Sequence, residues 1–518
     1  MSGRRRRARM LSRREALGEL GLGALAIALA GCAAGGAGAV HDPDGSTLQA
    51  TYGDPAHDGQ LALGAGVPLI DRTDLAPQAA AGRVLASIAH LTDAHVMDSQ
   101  SPARVPFLRR LGAPFNSTFR PQEALTAHVL AGACRALDAL APDAIIQGGD
   151  LIDNAQENEM HSALVLLRGG RVHPGSGAPG YYGVQSASDP DPFYYRPDVD
   201  APRHPGLLQS AMTPFAARGL RAPVYPVLGD HDLLVQGVLA PTPATRAIAL
   251  GERAIWDLPA NLRVPRALAG VASGSSPDAL AAPELADRLI VQAQRFRAVR
   301  VAADASRREL SPAEVLARLR SGGNLGHASG VAGVAGAAGA ALLDYSFDVG
   351  TRVRVIVLDL VRREGGSGGV VHGGQAAWLA SELTAARGRW VLVVSHQPLA
   401  DSEGGETLLA LLDAQPRVLA ALAGHTHRNR ITARPGAAGG YWLINTCSLI
   451  DYPQQARALQ IRETAHGGAV IDTWMLDHPP DGGIADISRE LSYLDSQGGR
   501  PQGFAGGPLD RNVRLFLR

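Results

Sequence analysis

Five short stretches of this 518-residue chain end an apolar run in carboxylates and imidazoles. They read "HLTDAH" (Asp93, His95), "QGGDLID" (Asp150, Asp153), "LGDHD" (Asp230, His231, Asp232), "VSHQP" (His396) and "AGHTH" (His425, His427). Singly, each has a plain explanation. Asp93 could cap a helix, Asp153 and Asp232 could stabilise turns, and the paired histidines could be exposed or satisfied in a core. Taken together they ask for a counter-charge, because carboxylates crowded onto tight turns are costly to hold without one. Imidazole nitrogen plus carboxylate oxygen is a donor set for Zn²⁺, Mn²⁺ or iron. The chemistry on offer is metal-assisted, and one carboxylate of such a set can bridge two ions.

The elements that carry these residues can be read from the same runs. "VLASIAHLTDAH", "PDAIIQGGDLID", "APVYPVLGDHD", "RWVLVVSHQP" and "RVLAALAGHTH" are short and rich in Val, Ile and Leu, as buried strands are. Helical patterns such as "EALTAHVLAGACRALDAL" and "GGQAAWLASEL" lie between them, so the pattern predicts an α/β fold. Ligands of open α/β sheets gather at the carboxyl ends of strands, which is where all five clusters fall. The i, i+2 spacing of His425 and His427 predicts an extended segment with both rings on one face.

Spacing predicts one domain over 81–475, with inserts at about 155–215 and 235–340. The first insert holds "YYGVQSASDPDPFYYRPD", with Tyr181, Tyr182, Phe193, Tyr194 and Tyr195. This cluster could cover the metal edge and stack on a base or lipid, or it could be packing. The second holds the helical "PAEVLARLRS" and a loop, "GVAGVAGAAGAALL". Lys+Arg and Asp+Glu are both 49, which argues against a generally basic nucleic-acid binder, and no nucleic acid is expected.

Residues 1–32 read as a signal peptide: a basic start, an apolar run from Leu20 to Ala30 too short to span a bilayer, then Cys32. "SRREAL" resembles a twin-arginine export signal, and "LAGC" resembles a lipobox that would expose Cys32 for lipid. The expectation is an extracytoplasmic protein, lipid-anchored to the outer face of the cytoplasmic membrane or secreted. Residues 33–80 read as a tether and N-terminal extension, and 476–518 as a C-terminal extension. Cys134 and Cys447 leave a disulfide and two buried thiols both open.

The ordered series D-x-H, GDxxD, G-[ND]-H-D, H and GHxH resembles the calcineurin-like metallophosphoesterases over roughly 85–475. "YSFDVGTRVRVIVLD" (345–359) and "GGQAAWLASEL" (373–383) are similar to that family's central strand pair and the helix before its fourth motif. "LIDYPQQ" (449–455), the export signal and the long inserts resemble a group of exported metallophosphoesterases from actinobacteria. The resemblance implies a two-sheet β-sandwich flanked by helices in four layers, and two divalent ions (Mn, Fe or Zn). Asp93, His95 and His427 would hold the first, Asp150 would bridge, and Asp230, His396 and His425 would hold the second. A bridging hydroxide would attack phosphorus, His231 would assist the leaving group, Asp232 would orient His231, and Asp153 would accept a hydrogen bond behind the ligands. The implied substrate is a small-molecule or lipid phosphomonoester or phosphodiester. The alternative is a surface lipoprotein that binds metal or another ligand without catalysis, which the intact ligand set and His231 disfavour.

Two departures matter. The family usually has Asn where Asp230 stands, so the cluster gains a negative charge. A trivalent iron, a protonated Asp230 or nearby arginines such as Arg428 or Arg430 could offset it, a divalent pair with arginine help being the expectation. Asp153 stands where the purple acid phosphatases have a tyrosine ligand, so no purple colour is expected. His90, His327 and His372 match no motif position and read as ordinary polar or core residues.

Overall fold

Alternation along the strands decides the layering. In the Val353–Leu358 strand, Val355 and Val357 enter one apolar core while Ile356 and Leu358 enter another. Leu392 and Val394 alternate with Val391 and Val393 in the same way along Trp390–Ser395. Successive side chains point to opposite faces, so strands apolar at every position must be covered on both sides. Each such Val or Leu contributes roughly 1.5–3 kcal/mol when fully buried. The protein, described by a computed structural model over residues 45–111, 117–257, 298–320, 342–498 and 503–518, meets this requirement with two sheets face to face and helices outside them. It is an α/β, two-sheet sandwich flanked by helices.

The six-stranded sheet runs in the order Tyr345–Val349, Val353–Leu358, Trp390–Ser395, Val418–Ala423, Tyr441–Asn445, Arg430–Arg434. The seven-stranded sheet runs Ile70–Arg72, Val513–Leu517, Ala469–Asp477, Gln455–Thr464, Ala81–Leu91, Ala144–Gln147, Val224–Pro226. The main core lies between them, with Ile88, Ile145 and Leu459 facing Val355, Leu392 and Trp442. At one side Tyr225 stacks on Phe347 with ring centroids 3.5 Å apart, and Tyr345 donates to the Pro226 carbonyl at 2.7 Å. Helices Gln375–Ala385 and Gly405–Asp413 cover the outer face of the six-stranded sheet through Leu379, Leu408 and Leu412. Helix Thr126–Leu140 covers the other sheet with Val129, Ala133 and Leu137, and stops at Ala141 (φ 48), just before a proline.

Three sequence boundaries move. Ile70–Arg72 and Val513–Leu517 pair with each other inside the seven-stranded sheet, so the segments read as extensions supply strands of the sandwich. The first insert starts later than expected: helix Glu157–Arg168 buries Met160, Ala163 and Leu167 in the main core as the crossover between parallel strands. The aromatic cluster that follows is largely packing. Tyr194 is fully buried against Phe119 (4.9 Å) and donates to the Trp256 carbonyl, and Tyr181 packs near Leu207 and Leu208, while Tyr182 and Phe193 stay exposed. Cys134 and Cys447 are two separate buried thiols. No helix among the described residues is long and apolar enough to cross a membrane. The signal peptide, Cys32, His327 and most of the Gly/Ala loop lie outside the described residues.

Candidate metal centre

Each expected ligand sits just past the carboxyl end of a strand. The seven-stranded sheet supplies Asp93 and His95 after Ala81–Leu91, Asp150 after Ala144–Gln147, and Asp230 after Val224–Pro226. The six-stranded sheet supplies His396 after Trp390–Ser395, and His425 and His427 after Val418–Ala423. Within each sheet these strands are parallel, so their ends come out along one edge.

Turning the side chains inward takes unusual backbone. Of ten non-glycine described residues with positive φ, five are ligand candidates: Asp93 (54°), His95 (46°), Asp150 (49°), His425 (62°) and His427 (57°). A left-handed residue costs about 1–2 kcal/mol, less for Asp and His than for branched residues, and such strain concentrates at functional sites. The extended reading of "GHTH" is therefore wrong. The two histidines lie on a turn beyond the strand, and left-handed backbone rather than strand alternation aims them. Glycines make the close approach possible: a Cβ on Gly149 (φ 97) would overlap His396, and one on Gly229 would overlap Asp150.

The atoms form two four-residue groups that share one carboxylate, with a smaller group of His95, Asp153 and His231 against the first. Asp93, His95, Asp150 and His427 form the first, and Asp150, Asp230, His396 and His425 the second. In the first, His427 Nε2 lies 3.2 Å from Asp93 Oδ1 and 3.4 Å from His95 Nε2, which is 3.7 Å from Asp150 Oδ2. In the second, His396 Nε2 lies 3.2 Å from both Asp150 Oδ2 and Asp230 Oδ1, and His425 Nδ1 lies 3.2 Å from Asp230 Oδ1. The carboxylates are buried and the imidazoles of His425 and His427 are partly open.

Tautomers test whether cations fit. His396 Nδ1 lies 2.8 Å from the Gly148 carbonyl, which only accepts, so Nδ1 carries the proton. Its buried Nε2 then turns a lone pair on two carboxylates without a hydrogen-bond partner. His95 and His427 likewise direct Nδ1 at carboxylates, Asp153 (3.1 Å) and Asp451 (2.6 Å), and face each other through Nε2. Such facing lone pairs need a proton or a cation between them, and the mixed N/O donor set suits a divalent transition ion. Without one, burial opposes charge on His396 but the carboxylates of Asp150 and Asp230 win and push its pKa well up. Burial also works against ionised Asp93, yet the imidazoles of His427 and His396 hold it well below the usual range.

His231 stands beside this cluster. Its Nδ1 donates to the Asp153 carbonyl at 2.8 Å and its backbone N–H to Asp150 Oδ1 at 2.9 Å. Burial disfavours the imidazolium, but Asp150, Asp153 and Asp230 outweigh it and push the pKa up to about 10. Asp153 does the orienting, contacting His95 and His231 both, and Gln236 Nε2 donates to its other oxygen at 2.6 Å. The role expected of Asp232 is corrected: its carboxylate accepts backbone N–H from Leu151, Ile152 and Gly229, tying the Asp150 and Asp230 turns together. Sequence neighbours on a tight turn point apart, which is why Asp232 turns away from the ring it follows.

Sequence reasoning missed Gln397, whose amide donates to Asp230 Oδ1 at 3.1 Å, and Asp451, which lies inside the quoted "LIDYPQQ" stretch. A carboxylate in a turn 24 residues after His427 has no local signal. Among the described residues, Arg120 lies 2.8 Å from Asp451 and Arg104 4.0 Å from Asp153. Arg428 lies 6.0 Å over the Phe504 ring, and Arg430 lines a separate cavity of about 200 Å³ with Asp401 and Asn445. His90 bonds Thr446 and His372 the Val361 carbonyl, both outside the two donor groups.

The chain matches no protein-family model, and no curated protein matches it. Among solved structures it is similar to a dimetal phosphatase from Danio rerio, LOC 393393, at 13% identity over 76% of this chain and 99% of that one, TM-score 0.37. It is similar to PhoD at 10% identity over 84% of this chain and 80% of that one, TM-score 0.30. It is also similar to the sulfate thiohydrolase SoxB of Thermus thermophilus in complex with glycerol, at 11% identity over 82% and 61%, TM-score 0.28.

Proposed function

We propose that this chain is an exported, two-metal phosphoester hydrolase acting on a small-molecule or lipid phosphoester. The observation that carries the reading is the pair of four-residue donor groups sharing Asp150, with His231 beside them. Two divalent cations bound there would lower the pKa of water and neutralise a phosphoryl oxygen. The chain's own residues do the rest. Asp153, Asp451 and the Gly148 carbonyl keep protons on the outer nitrogens of His95, His427 and His396, leaving Nε2 free to bind metal. The Asp153 carbonyl likewise leaves His231 Nε2 as the nitrogen that can hand a proton to a departing oxygen.

Gly237 (φ 67) bounds that space. A Cβ there would stand 2.5 Å from both His231 Nε2 and Asp230 Oδ2. Gly237→Ala should therefore lower kcat about 10²-fold, the scale of an ångström-sized misplacement, with melting temperature and steady-state turnover read side by side.

The test of the whole reading is metal analysis of purified protein with paired assays on a mono-aryl and a bis-aryl phosphate. Two ions per chain and metal-dependent release of the aryl alcohol support it; two ions without turnover of either ester would leave only the non-catalytic lipoprotein. Export rests on the basic, apolar and "LAGC" pattern of residues 1–32. Palmitate labelling that persists in Cys32→Ala would refute the lipid anchor.

A further inference from the structure

Behind one of the two metal positions a ring of buried charged groups links two of its candidate ligands, His427 and His95. It starts at His427, whose Nδ1 donates to Asp451 Oδ2 at 2.6 Å. Arg120 grips Asp451 with two donors, Nε to Oδ1 at 2.8 Å and Nη2 to Oδ2 at 3.2 Å. The Arg120 backbone N–H donates to Glu123 Oε2 at 2.9 Å, and Glu123 Oε1 accepts from Arg104 Nη1 at 2.7 Å. Arg104 Nε stands 4.0 Å from Asp153 Oδ2, and Asp153 Oδ1 lies 3.1 Å from His95 Nδ1. The ring closes where His95 and His427 face each other at 3.4 Å. Its charged members are all buried.

Among the described residues, the other metal position is backed by neutral groups. A neutral carbonyl holds His396, and the amide of Gln397 holds Asp230. The difference lies in the segment between Asp98 and Leu125, which carries Arg104, Arg120 and Glu123 and none of the ligand motifs.

We infer that Arg120 is a positioning residue for the Asp93/His95/His427 metal position. The inference rests on the two-metal reading above. A two-donor guanidinium fixes the plane of the Asp451 carboxylate, and with it the direction in which Oδ2 meets His427. The Arg120 backbone and Glu123 then tie that end of the ring to the Asp153 end, so both imidazoles of one position are set by one segment. Without the guanidinium, Asp451 becomes a buried charge released from its geometry. Outer partners of this kind typically change metal affinity 10–100-fold when lost.

The experiment loads full-length protein with Mn²⁺ alone, desalts it, counts Mn per chain by elemental analysis and records its electron paramagnetic resonance spectrum. Wild type should keep two ions with the spectrum of a spin-coupled pair. Arg120→Gln should keep about one, with the six-line spectrum of isolated Mn²⁺, and bind the second 10–100-fold more weakly. Arg120→Lys, which keeps a cation beside Asp451 but not the two-donor grip, should lose the same ion, because it is the plane of the carboxylate that the guanidinium fixes. If Arg120→Gln fails to fold by circular dichroism, Asp451→Asn alone is read for the same loss of one ion. Two ions retained, or both lost together, in whichever variant folds would overturn the inference while leaving the two-metal reading in place. Fewer than two ions in wild type would overturn both.

Discussion

Asp150→Ala should leave protein that folds yet cannot keep two ions, and should lower turnover by roughly 10³-fold or more. Asp150 is the one residue common to both donor groups. Its Oδ2 lies 3.2 Å from His396 Nε2 and 3.7 Å from His95 Nε2, so its removal takes a ligand from each position at once. Several kcal/mol of charge stabilisation is what metal ions contribute to such reactions, and each 1.36 kcal/mol is tenfold in rate. Asp150 Oδ1 also accepts from the His231 backbone, so the alanine variant loosens the turn carrying that residue. Metal content and kcat should fall together. Full metal content with unchanged kcat in the variant would refute the shared-ligand assignment.

His231→Gln should behave differently: two ions retained, with kcat down about 10²–10⁴-fold, the usual range for a positioned acid or base. The ring lies outside both four-residue donor groups, and Asp153 holds its Nδ1 side, so a glutamine leaves the ligands in place. The defect should grow with the leaving group's basicity. An aryl phosphate whose phenol leaves readily needs little proton transfer and should be hydrolysed nearly as well as by wild type, whereas an alkyl phosphate should suffer most. A uniform loss across leaving groups would mean that His231 binds substrate rather than supplying a proton. Because Asp150, Asp153 and Asp230 raise its pKa, the imidazolium persists into alkaline solution before ions are added. Bound cations push the other way, so the alkaline limb of the rate should sit lower than that environment alone dictates.

Much of this was legible in the chain itself, and the reasons are specific. The seven candidate ligand positions are legible because each follows an apolar strand and carries a side chain with few other reasons to be there. Asp153 could be read as a hydrogen-bond acceptor from its place three residues after Asp150. What could not be read involves contacts between distant segments of no fixed spacing: Asp451 with Arg120 across 331 positions, and Gln397 with Asp230 across 167. Adjacency in sequence suggests that Asp232 faces the His231 ring, but its carboxylate accepts backbone N–H from Leu151, Ile152 and Gly229 instead. Period-two spacing suits a strand and says nothing of a left-handed turn. Ile70–Arg72 and Val513–Leu517 are short, and each makes sense as a strand only beside the other.

The left-handed residues along the ligand rim carry one more consequence. Backbone held at about 1–2 kcal/mol per residue favours release wherever nothing draws the side chains together. An ion binding the folded rim and not the unfolded chain stabilises the fold by mass action. Metal supply would then govern how long the protein lasts as well as whether it reacts: a chain starved of metal would open first at Asp93, Asp150 and the His425–His427 turn, offering that edge to proteases while the sandwich behind it stays closed.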